Sequence, residues 1–131
     1  LGTRLKGKAL GIINNNKFTF SILSSSKPGR STAIISYITI IGCLIAITMN
    51  MEPKHAFARL HTRQAFGTHL IYHSLAIYLN LTNVDNVLVW GVLWVIYLGA
   101  ILYGFIGAIN NSERLLPGLG PNFQKWFTFI P

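Results

Sequence analysis

The side chains able to do chemistry are gathered in one stretch. All four histidines, His55, His61, His69 and His73, lie within it, together with Arg59, Arg63 and Gln64. His69 and His73 are four residues apart, a spacing at which two imidazoles on one helix reach one metal ion. No Cys, Asp or Glu lies near them in sequence, and His55 would stand about 20 Å from His69 along a shared helix axis. Bis-histidine haem ligation needs histidines facing each other from different helices, and all four belong to one. A homodimer or a partner protein would have to complete such a site. His69 and His73 are thus the only metal candidates, and the expected role of the histidines is hydrogen bonding within a bundle or at its rim. No cofactor is expected. The only acids are Glu52, Asp85 and Glu113, each beside the end of an apolar run, and no pair is placed for general acid–base work. No glycine-rich phosphate loop of the Walker or dinucleotide type is present. The reading is non-enzymatic.

The elements that must carry these residues are set by charge distribution. Half of the 131 residues are apolar and only 11% are charged, against about 25% in a typical soluble domain; the mean hydropathy is +0.47. Residues 32–51, 65–84 and 86–112 contain no Asp, Glu, Lys or Arg. Crossing roughly 30 Å of hydrocarbon takes about 20 such residues in a helix. The expected fold is therefore all-α: a polytopic, multi-pass integral membrane protein with three transmembrane helices at 32–51, 64–81 and 87–109. The domain reading is a mobile basic leader over 1–30, a three-helix membrane domain over 31–121 and an aromatic interfacial tail over 122–131. Cys43 falls inside the first span, so no disulfide framework exists.

A net charge of +8 would suit nucleic acid, but no soluble module remains to bind it, so no nucleic-acid partner is expected. The cations lie outside the apolar runs, where anionic lipid headgroups would meet them; Lys54, Arg59 and Arg63 are the headgroup candidates around the second helix. Counting Lys and Arg close to the spans favours the first loop and the C-terminal tail on the cytoplasmic side. The bacterial inner membrane is the expected location, with an organellar inner membrane as the alternative.

The second helix should begin before the lipid does, near residues 54–56, giving it an interfacial amphipathic start. At about 100° per residue, Phe57, Leu60, His61 and Gln64 share one face, and Arg59 and Arg63 the opposite one. His55, Thr62, His69 and His73 form a stripe beside the arginines. In the third helix Ala100, Gly104 and Ala108 recur every four residues, the small-xxx-small pattern that lets two helices approach closely in lipid. Whether their partner is internal or a second subunit stays open. Beyond it, Pro117-Gly118 and Gly120-Pro121 stop the helix, and Phe123, Trp126, Phe127 and Phe129 suit an interfacial anchor.

The run Phe57-x-Arg59-Leu60-His61-x-x-Gln64-Ala65 resembles the Arg-Phe-His-x-x-Gln-Ala signature of small bacterial membrane proteins related to the chloroplast inner-envelope import component of the Tic translocon. The apolar run before it, the polar gap at 80–86, and Gly107-Ala108-Ile109-Asn110 followed by Leu116-Pro117-Gly118-Leu119-Gly120 are also similar. The likeness covers about residues 30–121. Leu60 stands where the family has an aromatic residue, His69 and His73 are additions, and the plastid proteins have four spans. The resemblance implies a helical membrane fold and, for the plastid member, a part in protein import.

From the residues themselves, Phe57, Arg59, His61 and Gln64 read as a structural lock in which His61 and Gln64 hydrogen-bond loop or helix-end carbonyls of other spans. The expected function is that of a subunit or assembly partner of a larger membrane complex, with other membrane subunits or a second copy as partners. A Tic-like protein-translocation component is the alternative. An accessory subunit of a redox or transport complex is a further one.

Overall fold

A computed structural model of the protein describes residues 2–24 and 26–131; Leu1 and Ser25 of the leader lie outside the described residues. The described chain is entirely helical in its regular structure. Six helices follow one another: α1 (Gly2–Ser24), α2 (Arg30–Ile35), α3 (Ile40–Met49), α4 (Ala56–Leu81), α5 (Val87–Ile109) and α6 (Gly120–Trp126). α4 is the central post, packed against α2, α3, α5 and α6. The leader, read as mobile chain, is helical over α1.

The stretch 32–51, expected to be one transmembrane helix from its lack of charge, is not one continuous helix. It is two short helices joined by an elbow at residues 36–39. The cause is local competition for the backbone. The Ser36 hydroxyl donates to the carbonyl of Ala33 at 2.7 Å. Thr39 is fully extended (φ −153°, ψ 168°), and its side chain caps α3 by accepting from the amide of Gly42 at 2.9 Å. Short hydroxyl side chains favour such caps over helix interiors. The ten residues of α3 rise only about 15 Å, half a hydrocarbon layer. Among the described residues one helix, α5, is long and apolar enough to cross a membrane.

The expected boundaries of the third helix coincide with α5, and its ends explain why. Asn86 caps its start, accepting from the amides of Leu88 and Val89 at 2.8 and 3.4 Å. Asn111 follows its end in the left-handed region (φ 54°), as Asn83 does after α4 (φ 51°); asparagine tolerates this conformation better than most residues.

Packing runs opposite to the usual order. The side chains with least exposure include His61, Gln64, Thr62, His69, Asn50 and Ser36, alongside Tyr37, Cys43, Ala33, Ala65 and Ala108. Large aliphatic residues point out: Ile41 is 67% exposed, Val87 82% and Val95 72%. Two glycines allow the closest contacts. The ring of Tyr37 lies where a Cβ of Gly104 would be, and the ring of Phe123 occupies the corresponding place at Gly67, 2.5 Å from the nearest ring carbon.

Candidate functional site

The elbow between α2 and α3 turns Tyr37 into the bundle, and α4 presents His61 and Gln64 to it. The Tyr37 hydroxyl lies 3.0 Å from Nδ1 of His61 and accepts from Nε2 of Gln64 at 3.1 Å. On its far side, Nε2 of His61 meets the carbonyl of Ser112 at 2.9 Å. A carbonyl only accepts, so that nitrogen carries the proton. Nδ1 then offers a lone pair, and the Tyr37 hydroxyl donates to it. The Gln64 carboxamide is fixed from its other end, where Oε1 accepts from the amide of Leu116 at 2.9 Å. Both ring nitrogens of His61, the Tyr37 hydroxyl, and the oxygen and one N–H of Gln64 are engaged. The chain of bonds starts at one backbone amide and ends at one backbone carbonyl, joining the elbow, α4 and the segment after α5.

The same device recurs two turns along α4. Nε2 of His69 donates to the carbonyl of Ser36 at 3.2 Å, and Nδ1 accepts from the hydroxyl of Tyr97 on α5 at 2.9 Å. His69 is fully buried. The stripe of Thr62 and His69, placed beside the arginines in the sequence reading, therefore turns inward with the His61 face. The aliphatic side chains that would have competed for the interior stand outside instead. His73 donates from Nδ1 to the carbonyl of His69 at 2.7 Å. With both nitrogens of His69 in use, no lone pair is left on it for a metal. No group of three metal-capable side chains occurs among the described residues.

The other expected site residues separate into distinct roles. Phe57 is buried, its ring 4.6 Å from that of His61 between centroids, with Nζ of Lys27 5.3 Å above it. Lys54 and Arg59 are exposed. Arg63, expected to face phosphates, instead folds over the tail. It donates to the carbonyls of Ile130 at 2.9 Å, Thr128 at 3.0 Å and Gln124 at 3.3 Å. Gln124 answers by donating to the carbonyl of Leu60 at 2.8 Å. The tail is thus bound to α4, and Phe123 and Ile130 are buried while Trp126 and Phe129 point out. Gly104 and Ala108 are buried within the chain, and Gly104 receives Tyr37, so part of the small-residue face has an internal partner. Ala100 is half-buried and lines an apolar groove of about 470 Å³ between α4 and α5, with Tyr72, Leu75 and Tyr103.

Near the start of α2, Arg30 donates to the carbonyl of Ile109 at 2.7 Å and Lys27 pairs with Glu113 at 2.7 Å. Both ties bind the segment before α2 to the end of α5. The hydrogen bond and charge of Lys27 hold the Glu113 carboxyl below its ordinary value. Glu52 and Asp85 are exposed.

Sequence reasoning missed Tyr37, Tyr97 and Asn50. Asn50 is buried and donates to the carbonyls of His55 and Pro131 at 3.2 and 2.8 Å. Tyr37 carries the only phenolic hydroxyl in the uncharged run 32–51; a buried phenol needs a partner, which was the available signal. The partners on the other side, Ser112 O and Leu116 N, are backbone groups and leave no mark in residue type.

Comparison with known proteins adds no identity: no protein-family model, curated protein or solved structure matches this chain.

Proposed function

We propose that this chain is a small, non-enzymatic integral membrane protein that acts as a subunit or assembly partner of a larger membrane complex. The reversed polarity of the fold carries the reading. Buried histidine, glutamine and tyrosine side chains satisfy one another inside, and aliphatic side chains cover the outside. In water that arrangement leaves large aliphatic side chains of α3, α4 and α5 exposed along their length, where a monomer usually keeps contiguous apolar patches to a few hundred Å². In lipid it is the favourable order, because polar groups need internal partners there. Only 11% of the most apolar stretch of α5 is buried within the chain, which leaves this helix to lipid or a neighbouring protein. A multi-pass arrangement has α4 and α5 crossing together, with the elbow of α2 and α3 filling the space beside them.

The bond network supports a scaffold rather than a catalyst or a proton path. Its ends are a backbone amide and a backbone carbonyl, neither of which passes a proton on at neutral pH. The second reading, a Tic-like translocation component, rests on the Phe57–Gln64 motif, whose His61 and Gln64 form the centre of that network.

The test is carbonate extraction of membranes expressing the tagged chain, followed by native purification and mass spectrometry of co-purifying chains. Retention in the pellet with a fixed set of partners is expected. Release into the carbonate supernatant rejects the membrane reading. Crosslinks to a translocating polypeptide select the second reading.

A further inference from the structure

Among the described residues, α1 makes no packing contact with the other helices, and its side chains from Gly2 to Lys17 are all exposed. Leu5, Ala9, Ile12 and Ile13 fall at i, i+4, i+7 and i+8, which makes one apolar stripe. Leu5, Ile12 and Ile13 are 63%, 59% and 50% exposed. Lys8 borders the stripe on one side, and Lys6 and Lys17 on the other. Gly7, Gly11 and Asn14 lie opposite, and Leu10 sits off the stripe beside Lys6. With Arg4 this gives four cations, and residues 1–51 contain no acid.

We propose that α1 lies in the plane of an anionic lipid surface, with Leu5, Ala9, Ile12 and Ile13 immersed and its cations at the phosphates. This rests on the membrane reading above and names the partner of the leader. Charge complementarity selects the occupant: the stripe is narrow and flanked by cations on both sides, the pattern of a helix held at a headgroup boundary. A protein groove would have to supply acids along both edges. Gly7, Gly11 and three consecutive asparagines are poor helix formers, so the surface itself must favour the helix.

The experiment places spin labels on the full chain in nanodiscs, in a Cys43→Ala background. Ala9→Cys and Ile13→Cys report the stripe, Gly11→Cys and Asn14→Cys the opposite face, and Val95→Cys on α5 reports the bilayer. In phosphatidylglycerol discs the stripe labels should collide with oxygen and be shielded from a water-soluble nickel chelate, with the opposite labels reversed. In phosphatidylcholine discs the contrast should fall. Each of Arg4, Lys6, Lys8 and Lys17 changed to Gln should reduce the surface-bound fraction relative to the free one by about fivefold. Equal nickel access on both faces in anionic discs overturns the proposal, as does shielding of both faces from both reagents, which marks a protein-docked helix. An unchanged contrast after all four substitutions also overturns it. Oxygen access lost at Val95 indicates failure of the membrane reading instead.

Discussion

The hydroxyl of Tyr37 is held between two side chains of one helix, 3.0 Å from Nδ1 of His61, and this bond ties the elbow of α2 and α3 to α4. Replacing Tyr37 with Phe keeps the ring against Gly104 but leaves Nδ1 of His61 and one N–H of Gln64 without partners. Two buried groups left unpaired cost about 2–6 kcal/mol together. Tyr37→Phe should therefore lower the thermal midpoint and the folded abundance of the purified protein. His61→Ala and Gln64→Ala should do the same, and the double variant with Tyr37→Phe should be less than additive.

Gly104→Ala should be severely destabilising, because the added methyl falls within the Tyr37 ring and the hub cannot retreat without losing its bonds. Gly99→Ala, on the same helix with open space around it, should be neutral or slightly stabilising. Unfolding midpoints of the two variants check this directly; equal midpoints would remove the close approach as a constraint.

Arg63→Lys should free the tail. A single ammonium cannot reproduce the fork that reaches three carbonyls, so residues 124–131 should gain protease sensitivity and amide exchange while α4 and α5 keep theirs. A tail as protected as the native one would show that Phe123 at Gly67 and the bonds of Gln124 to Leu60 and of Asn50 to Pro131 hold it without the arginine fork.

Thr62→Val should stabilise by about 1 kcal/mol. The Thr62 hydroxyl is buried with no partner, and exchange for a methyl removes an unmet desolvation cost. Denaturant midpoints should rise relative to the native chain.

Acid should loosen the Lys27–Glu113 tie. The Glu113 carboxyl titrates below its ordinary value of 4.5, so its contribution is complete above that pH and is lost as pH falls through the lowered value. The protection of the Lys27 amide, whose N–H donates to Asn111 at 3.1 Å, measured as its exchange relative to the intrinsic rate at the same pH, should fall below pH 4.5 and stay constant from 6 to 8. Glu113→Gln should show no such acid dependence.

The helices were legible where one signal dominated. α5 is an uncharged run ended by asparagines, and its bounds followed from that. The start of α4 at Ala56 falls at the edge of the range 54–56 expected from its polar, amphipathic first turns. The break at residues 36–39 was hidden, because an uncharged run reads as continuous and the signals that end it, the hydroxyls of Ser36 and Thr39, are single residues inside an apolar stretch. At the site, the face holding Phe57, His61 and Gln64 could be drawn from the 3.6-residue period alone. What they touch could not, since Ser112 and Leu116 contribute only backbone. The bonds of Arg63 were hidden for a similar reason: arginine beside an expected headgroup layer suggests phosphate, while the carbonyls that hold it belong to a tail whose path no local pattern gives.

The bonds of His61 to Ser112 and of Gln64 to Leu116 join residues 51 and 52 positions apart. A chain made from its N-terminus therefore has its central polar helix before it has the atoms that satisfy it. At about 5–20 residues per second, the gap is roughly 3–10 s. During that interval Nε2 of His61 and Oε1 of Gln64 lack their partners, and on the membrane reading proposed above α4 would be a poor candidate to enter lipid alone. The emergence of α5 and the turn after it completes the set, so the order of synthesis makes the last loop the event that commits the earlier helix. A nascent chain paused before Ser112 is the species that a chaperone or insertion factor would have to shelter.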